Sequence, residues 1–305
     1  MKTVLFGLAV VSTFAFAKAT RYEMTVDNRD RVYLVYDPRP SKDLKSLVVV
    51  LNPGLRSARE AERSFGFNEL AQREDFIVAY PESLPIVKGG NKYEWNFDDE
   101  MLSAGENDVK FVSLFLDKVL AEFSVDPTKV FVTGMSSGAL MGYRLACEIP
   151  ERINAFALSA GTVEYKRCQP KAQTKILAIH GSADRLHPIN GGGPLDLISR
   201  EANLKFWAGQ NGCTAIPVPV SMPHLGLDDT RSWIYNYECP AGSHLQSILI
   251  ENGGHTWSGF QIEYPFIFGR RIWDLAQWAF ARKMLGEVSL DFNNTEYAWN
   301  FFKLS

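Results

Sequence analysis

The run Ser46-Leu-Val-Val-Val-Leu51 constrains this chain most. A strand buried on one face alternates apolar and polar side chains. An unbroken apolar run of this length has to be covered on both faces, which places it inside a parallel sheet flanked by helices. Further strands are predicted at 31–37, 76–80, 130–133, 153–159, 175–180 and 245–251, and helices at 108–123, 139–148 and 195–208. In the first of these helices Phe111, Val112, Phe115, Leu116, Val119, Leu120 and Phe123 recur at the three-and-four spacing of one face, and Asp126-Pro127 ends the pattern. Strands alternating with helices imply right-handed crossovers, hence an α/β fold with a mainly parallel sheet and helices on both faces. No linker-like stretch or repeat divides the chain, so one domain is expected over 18–305. With 305 residues, 46% of them hydrophobic, there is ample material for its core.

Residues 1–17 stand apart from that domain. Lys2 supplies a positive start, 4–16 is apolar apart from Gly7, Ser12 and Thr13, and Ala15-Phe16-Ala17 offers the small residues of a cleavage site. This is the pattern of a signal peptide, too short for a membrane span. The expectation is a secreted or periplasmic protein with no membrane contact after processing. In an oxidising compartment the four cysteines Cys147, Cys168, Cys213 and Cys239 read as two disulfides. Of the three pairings, Cys147–Cys168 and Cys213–Cys239 are favoured, because each closes a short loop between neighbouring elements. Zinc is disfavoured: there is no C-x-x-C pair and no histidine at ligand spacing.

The chemistry is carried by Gly134-Met135-Ser136-Ser137-Gly138, set between the apolar strand at 130–133 and the helix from Ala139. A strand running into G-x-S-x-G and leaving as a helix is the nucleophile elbow, in which the glycines let backbones approach closely and the serine stands exposed. A serine hydroxyl needs a base, and in this architecture the order is Ser, then Asp or Glu, then His. Five histidines exist. His180 precedes the candidate acid, and His187 lies only three residues after Asp184. His224 and His244 sit in polar, loop-like sequence. His255 follows the last strand in Asn252-Gly-Gly-His-Thr-Trp257, where glycines free the loop to bring an imidazole over the sheet edge. Asp184, following the strand at 175–180, is the candidate acid, ahead of Asp228 and Asp229, which no strand closely precedes. A metal site at His180, Asp184 and His187 would leave Ser136 without an acid partner, so neither a metal nor any cofactor is expected. For the oxyanion, the N–H of Ser137 is one donor. The second is expected from Gly54 or Leu55 after the strand at 46–51, since Pro53 has no N–H.

With these residues in hand, the chain resembles the secreted esterase family that includes polyhydroxybutyrate depolymerases and feruloyl esterases, from about Ser46 to Phe302. The most specific stretch is Val125-Asp-Pro-Thr-Lys-Val-Phe-Val-Thr-Gly-Met-Ser-Ser-Gly138, followed by Arg144-Leu-Ala-Cys-Glu-Ile-Pro150. Tyr93-Glu-Trp-Asn-Phe97, His180-Gly-Ser-Ala-Asp184, Asn211-Gly-Cys213, Gly253-Gly-His-Thr-Trp257 and the closing Asn294–Phe302 segment match as well. The resemblance implies an α/β-hydrolase fold and a triad of Ser136, Asp184 and His255. It also implies Gly54 as the second oxyanion donor. Trp95 and Trp257 are the candidates for substrate contacts at the site mouth, with a structural role for Trp95 equally open. Two departures stand out. Asn52-Pro53-Gly54 replaces the family's His-Gly and small residue. The stretch 260–290 is longer than the usual connection, with Tyr264, Phe266, Phe268, Trp273, Trp278 and Phe280 able to form a lid or substrate platform. The helical spacing of Ile272, Leu275, Ala276 and Ala279 favours an extra packed helix there.

The resemblance implies an esterase working through an acyl-enzyme, polyhydroxybutyrate depolymerase-like, with a polyester oligomer as substrate. Feruloyl or acetyl xylan esterase action on polysaccharide esters is the alternative. A serine peptidase is disfavoured, because nothing resembles an added propeller domain or a pocket for a charged peptide terminus. A non-catalytic binding protein is disfavoured because all three triad residues are present. With 32 basic and 35 acidic residues and no basic block, the chain lacks the concentrated positive face a nucleic-acid partner requires.

Overall fold

The computed structural model describes residues 18–305 apart from 88, 99–106, 164–167, 194, 215–216 and 260–283. A ten-stranded sheet has the spatial order β1-β2-β4-β3-β7-β8-β9-β12-β11-β10. Its centre is parallel: β4 (Ile77–Pro81), β3 (Lys45–Leu51), β7 (Val125–Met135), β8 (Ala155–Ser159), β9 (Lys175–Gly181) and β12 (His244–Glu251). The margins are antiparallel, with β1 (Thr20–Val26) and β2 (Arg29–Tyr36) on one side and β11 (Arg231–Asn236) and β10 (Val220–Ser221) on the other. A separate hairpin pairs β5 (Leu84–Pro85) with β6 (Tyr93–Glu94). This is the mainly parallel α/β-hydrolase sheet expected.

Alternate residues of β3 feed opposite layers. Leu47, Val49 and Leu51 pack with Phe111, Phe115, Leu140, Tyr143 and Trp207, whereas Val48 and Val50 pack with Phe65, Phe67, Leu70, Trp299 and Phe302. One face is therefore covered by α3 (Asp108–Glu122), α4 (Ser137–Glu148) and α5 (Arg200–Asn211), the other by α1 (Ala58–Phe65), α2 (Phe67–Glu74) and α6 (Asn294–Lys303). All five residues from Leu47 to Leu51 are completely buried, which is why the run carries no polar side chain.

Disulfides join Cys147 to Cys168 and Cys213 to Cys239, the favoured pairing. The first ties the last turn of α4 to the approach to β9. The second ties the C-terminal end of α5 to the segment between β11 and β12.

Two expectations change. The helix placed at 195–208 begins at Arg200, capped by Ser199, whose hydroxyl accepts the Ala202 N–H at 3.1 Å. Leu195 and Leu197 pack against the core from a turn in which Gly192 bridges Leu197, so their burial mimicked helical periodicity. The marginal strands β1, β10 and β11 and the helices α1 and α2 add to the sequence assignment. The aromatics of 260–290, and with them the choice between lid and packed helix, lie outside the described residues.

Candidate active site

Ser136 sits between β7 and α4 with φ 57° and ψ −128°, a left-handed backbone that a non-glycine residue holds only when its surroundings enforce it. They do so on two sides. Its N–H donates to the Ser159 carbonyl at 3.0 Å, and its own carbonyl accepts the N–H groups of Ala139 and Leu140. The flanking glycines are required by contact. A Cβ on Gly134 would lie 2.7 Å from the Gly138 carbonyl carbon, and one on Gly138 would lie 2.5 Å from the Leu51 carbonyl oxygen.

Asp184 and His255 leave the C-terminal ends of adjacent parallel strands. β9 and β12 are in register at Gly181 and Ile250, and the Ala183 N–H donates to the Gly253 carbonyl at 2.8 Å. The turns after the two strands are thereby held together, and His255 Nδ1–H donates to Asp184 Oδ2 at 2.7 Å. The other carboxylate oxygen accepts the N–H groups of Leu186 and His187 at 2.9 and 2.8 Å. Burial works to raise the Asp184 carboxyl, but the His255 hydrogen bond and charge and the His187 N–H outweigh it and hold the group below the usual carboxylate range. Asp184 is thus an ionised partner that keeps the proton on His255 Nδ1 and leaves Nε2 as a base.

Ser136 and His255 line one cavity of about 540 Å³ with Gly54, Ser137, Glu94 and His187. The loop Asn52–Arg56 is fixed from three directions. The buried Asn52 side chain bonds Ser83 and the Arg56 carbonyl, Trp95 Nε1 donates to the Asn52 carbonyl at 2.8 Å, and the Leu55 N–H donates to the Tyr93 carbonyl at 2.7 Å. Leu55 is therefore engaged elsewhere, in a left-handed conformation with φ 64°, and Gly54 lines the cavity together with Ser136 and Ser137. Ser137 is the first residue of α4, so its N–H carries the positive end of the helix.

Neither tryptophan is at the mouth. Trp95 is completely buried and supports the Asn52–Arg56 loop from behind. Trp257 is 7% exposed, stacks on Phe65 with centroids 4.3 Å apart and donates through Nε1 to Thr295. Both indoles are closed off by packing, and the expected substrate contacts are replaced by structural ones.

Glu94, to which the sequence analysis gave no role, and His187, which it set aside as a base, also line the cavity. His187 packs edge-on against His255, centroids 4.8 Å apart, and its Nδ1–H donates to the Ala160 carbonyl. Burial, then the charge of His255, bring its pKa down to about 4. His180, whose Nε2–H donates to the His187 carbonyl, is lowered as well, chiefly by burial. The native state binds fewer protons at His187 than the unfolded chain between an unfolded value near 6.5 and a folded value near 4, so stability rises with pH across that window. We expect a gain of about 3 kcal/mol from His187 over this range. Urea unfolding at a series of pH values checks it, and His187→Asn should flatten the slope.

A model of the family described as Esterase PHB depolymerase matches residues 31–184. NocK of Nocardia uniformis subsp. tsuyamanensis, named provisionally as an esterase, is 27% identical over 84% of this chain and 79% of its own length. Feruloyl esterase B of Piromyces equi is 24% identical over 72% of this chain, which spans 41% of that protein. Among solved structures, the acetyl xylan esterase from Aspergillus awamori superposes with a TM-score of 0.58 at 18% identity, covering 78% of this chain and 94% of that one, a likeness of fold.

Proposed function

The chain belongs to the Esterase PHB depolymerase family and is a carboxylic ester hydrolase, and from that premise we propose that it works through Ser136, His255 and Asp184 by way of an acyl-enzyme. The observation that carries this reading is the Asp184–His255 hydrogen bond beside a cavity that Ser136 also lines. His255 Nε2 takes the hydroxyl proton as Ser136 Oγ attacks the ester carbonyl. The N–H groups of Gly54 and Ser137 receive the oxyanion, each worth about 3 kcal/mol of transition-state stabilisation. The imidazolium, steadied by Asp184, returns the proton to the departing alcohol. Water then repeats the sequence on the acyl-enzyme.

The substrate reading follows the family description: short hydroxyalkanoate esters or polyester oligomers. Esters on plant polysaccharide are the second reading, favoured by the sequence likeness to feruloyl esterase B. Export after removal of 1–17, leaving one catalytic domain over 18–305, is part of the proposal. Two disulfides support it, and among the described residues no helix is long and apolar enough to cross a membrane.

A fluorophosphonate tests the mechanism. It should form a single adduct on the peptide carrying Ser136 and abolish hydrolysis of p-nitrophenyl esters in step with labelling. Labelling elsewhere, or activity that survives full labelling, would refute the assignment.

A further inference from the structure

Asp184 grips the His255 ring at a single atom, Nδ1. One hydrogen bond leaves swinging of the imidazole about that bond unopposed, and a base turned away from its proton donor does no work. What meets the ring from the side is His187. The two imidazoles pack edge to face, with centroids 4.8 Å apart and planes at 68°, and both residues line the cavity. His187 is itself held at three points. Its N–H donates to Asp184 Oδ1 at 2.8 Å, its carbonyl accepts the His180 Nε2–H at 2.8 Å, and its Nδ1–H donates to the Ala160 carbonyl at 2.6 Å. At 5% exposure the side chain is enclosed.

The anchor at Ala160 ties this ring to the support of the nucleophile. Ala160 follows β8 in a left-handed conformation, φ 53°, with its N–H donating to the Ile179 carbonyl at 2.8 Å. Its neighbour Ser159 accepts the N–H of Ser136 at 3.0 Å. The end of β8 therefore fixes both the backbone of Ser136 and the ring that abuts His255. Two demands explain an imidazole in this place. The first is neutrality, because His255 gains a proton during turnover and a second cation at this distance would oppose it. Burial, with the charge of His255, keeps His187 at a pKa of about 4 and so uncharged near neutral pH. The second is a donor for the Ala160 carbonyl, which belongs to a residue only 2% exposed. The bond to Ala160 and the ring against His255 are thus separate contributions of one side chain.

We propose that His187 is a positioning residue for His255, its ring being the wall that holds the imidazole where Nδ1 meets Asp184 and Nε2 is turned to Ser136. The role lies in the ring and its rigid anchorage, not in proton transfer. The inference rests on the reading of His255 as the base and names what orients that base besides Asp184.

Two substitutions separate the ring from the hydrogen bond. Asparagine carries an amide N–H near the position of Nδ1–H, so His187→Asn can keep the bond to Ala160 while removing the ring. His187→Phe keeps a flat ring and removes the donor. If the ring positions His255, activity follows the ring. In His187→Asn, kcat on p-nitrophenyl butyrate should fall about ten- to a hundredfold with KM unchanged, the scale of a reacting group misplaced by about an ångström. Thermal unfolding of that variant should stay close to native. His187→Phe should unfold at a lower temperature and, assayed where it is folded, keep most of the native kcat. Activity that follows stability instead, with His187→Asn fully active and His187→Phe impaired, overturns the proposal. Should His187→Phe not fold, native kcat in folded His187→Asn overturns it alone. A readout without turnover separates this inference from the mechanism. In protein carrying isotope-labelled histidine, NMR should show the His255 Nδ1–H exchanging with water about tenfold faster in His187→Asn than in native protein, because a ring free to swing breaks its bond to Asp184 more often. Unchanged exchange in His187→Asn sinks the role of His187 alone. Native turnover in Ser136→Ala would sink the triad mechanism, and the exchange comparison would still decide whether His187 orients His255.

Discussion

Ser136→Ala is expected to lower kcat on a p-nitrophenyl ester by about a millionfold while leaving the protein folded. The size follows from the attack itself: without Oγ no acyl-enzyme forms, and only the donors of Gly54 and Ser137 and the binding of the ester remain to accelerate attack by water. Those should leave a residual rate about a thousandfold above the uncatalysed one. Stability should change little, because the left-handed conformation at Ser136 is imposed by backbone bonds to Ser159, Ala139 and Leu140, which alanine retains. The check is a pair of measurements on the same preparation, turnover and thermal unfolding. Native-like turnover in Ser136→Ala would end the serine mechanism.

Asp184→Asn is expected to cost about four orders of magnitude in kcat with little change in KM. The amide oxygen of the introduced side chain can still accept the N–H groups of Leu186 and His187, so the turn should survive. The amide nitrogen would then face His255 Nδ1 where the carboxylate oxygen now accepts. Two donors cannot meet, so the imidazole is forced into the tautomer with its proton on Nε2, where it cannot take one from Ser136. Unaltered turnover in Asp184→Asn would show that another group orients His255.

Ser136 and His255 are joined by no local signal, yet both stand out as candidates in the sequence and line one cavity, because each follows a strand that its own sequence announces. The elbow is legible for a steric reason. Gly134 and Gly138 meet backbone atoms at distances that admit no Cβ, so the fold leaves its mark directly on composition. The marginal strands β1, β10 and β11 leave a weaker mark. β1 and β10 are largely exposed and β11 is only partly buried, so their side chains need not be uniformly apolar. Trp95 and Trp257 show the opposite failure. An aromatic beside a catalytic motif fits a substrate wall or a packed support equally well, and the choice depends on neighbours such as Phe65 and Asn52 that are distant in sequence.

The sequence alone therefore determined the alternation of buried strands and helices and the sharp turn at Ser136, because each is written in local periodicity or steric necessity, and it favoured the cysteine pairs that the structure joins. Only the tertiary structure decided that the Leu55 N–H is taken by the Tyr93 carbonyl, that His187 packs against His255, and that Glu94 reaches Ser137 across 43 residues. Those contacts arise from the way parallel strands deliver their C-terminal loops to one edge of the sheet. No local pattern of residues encodes which side chains then meet.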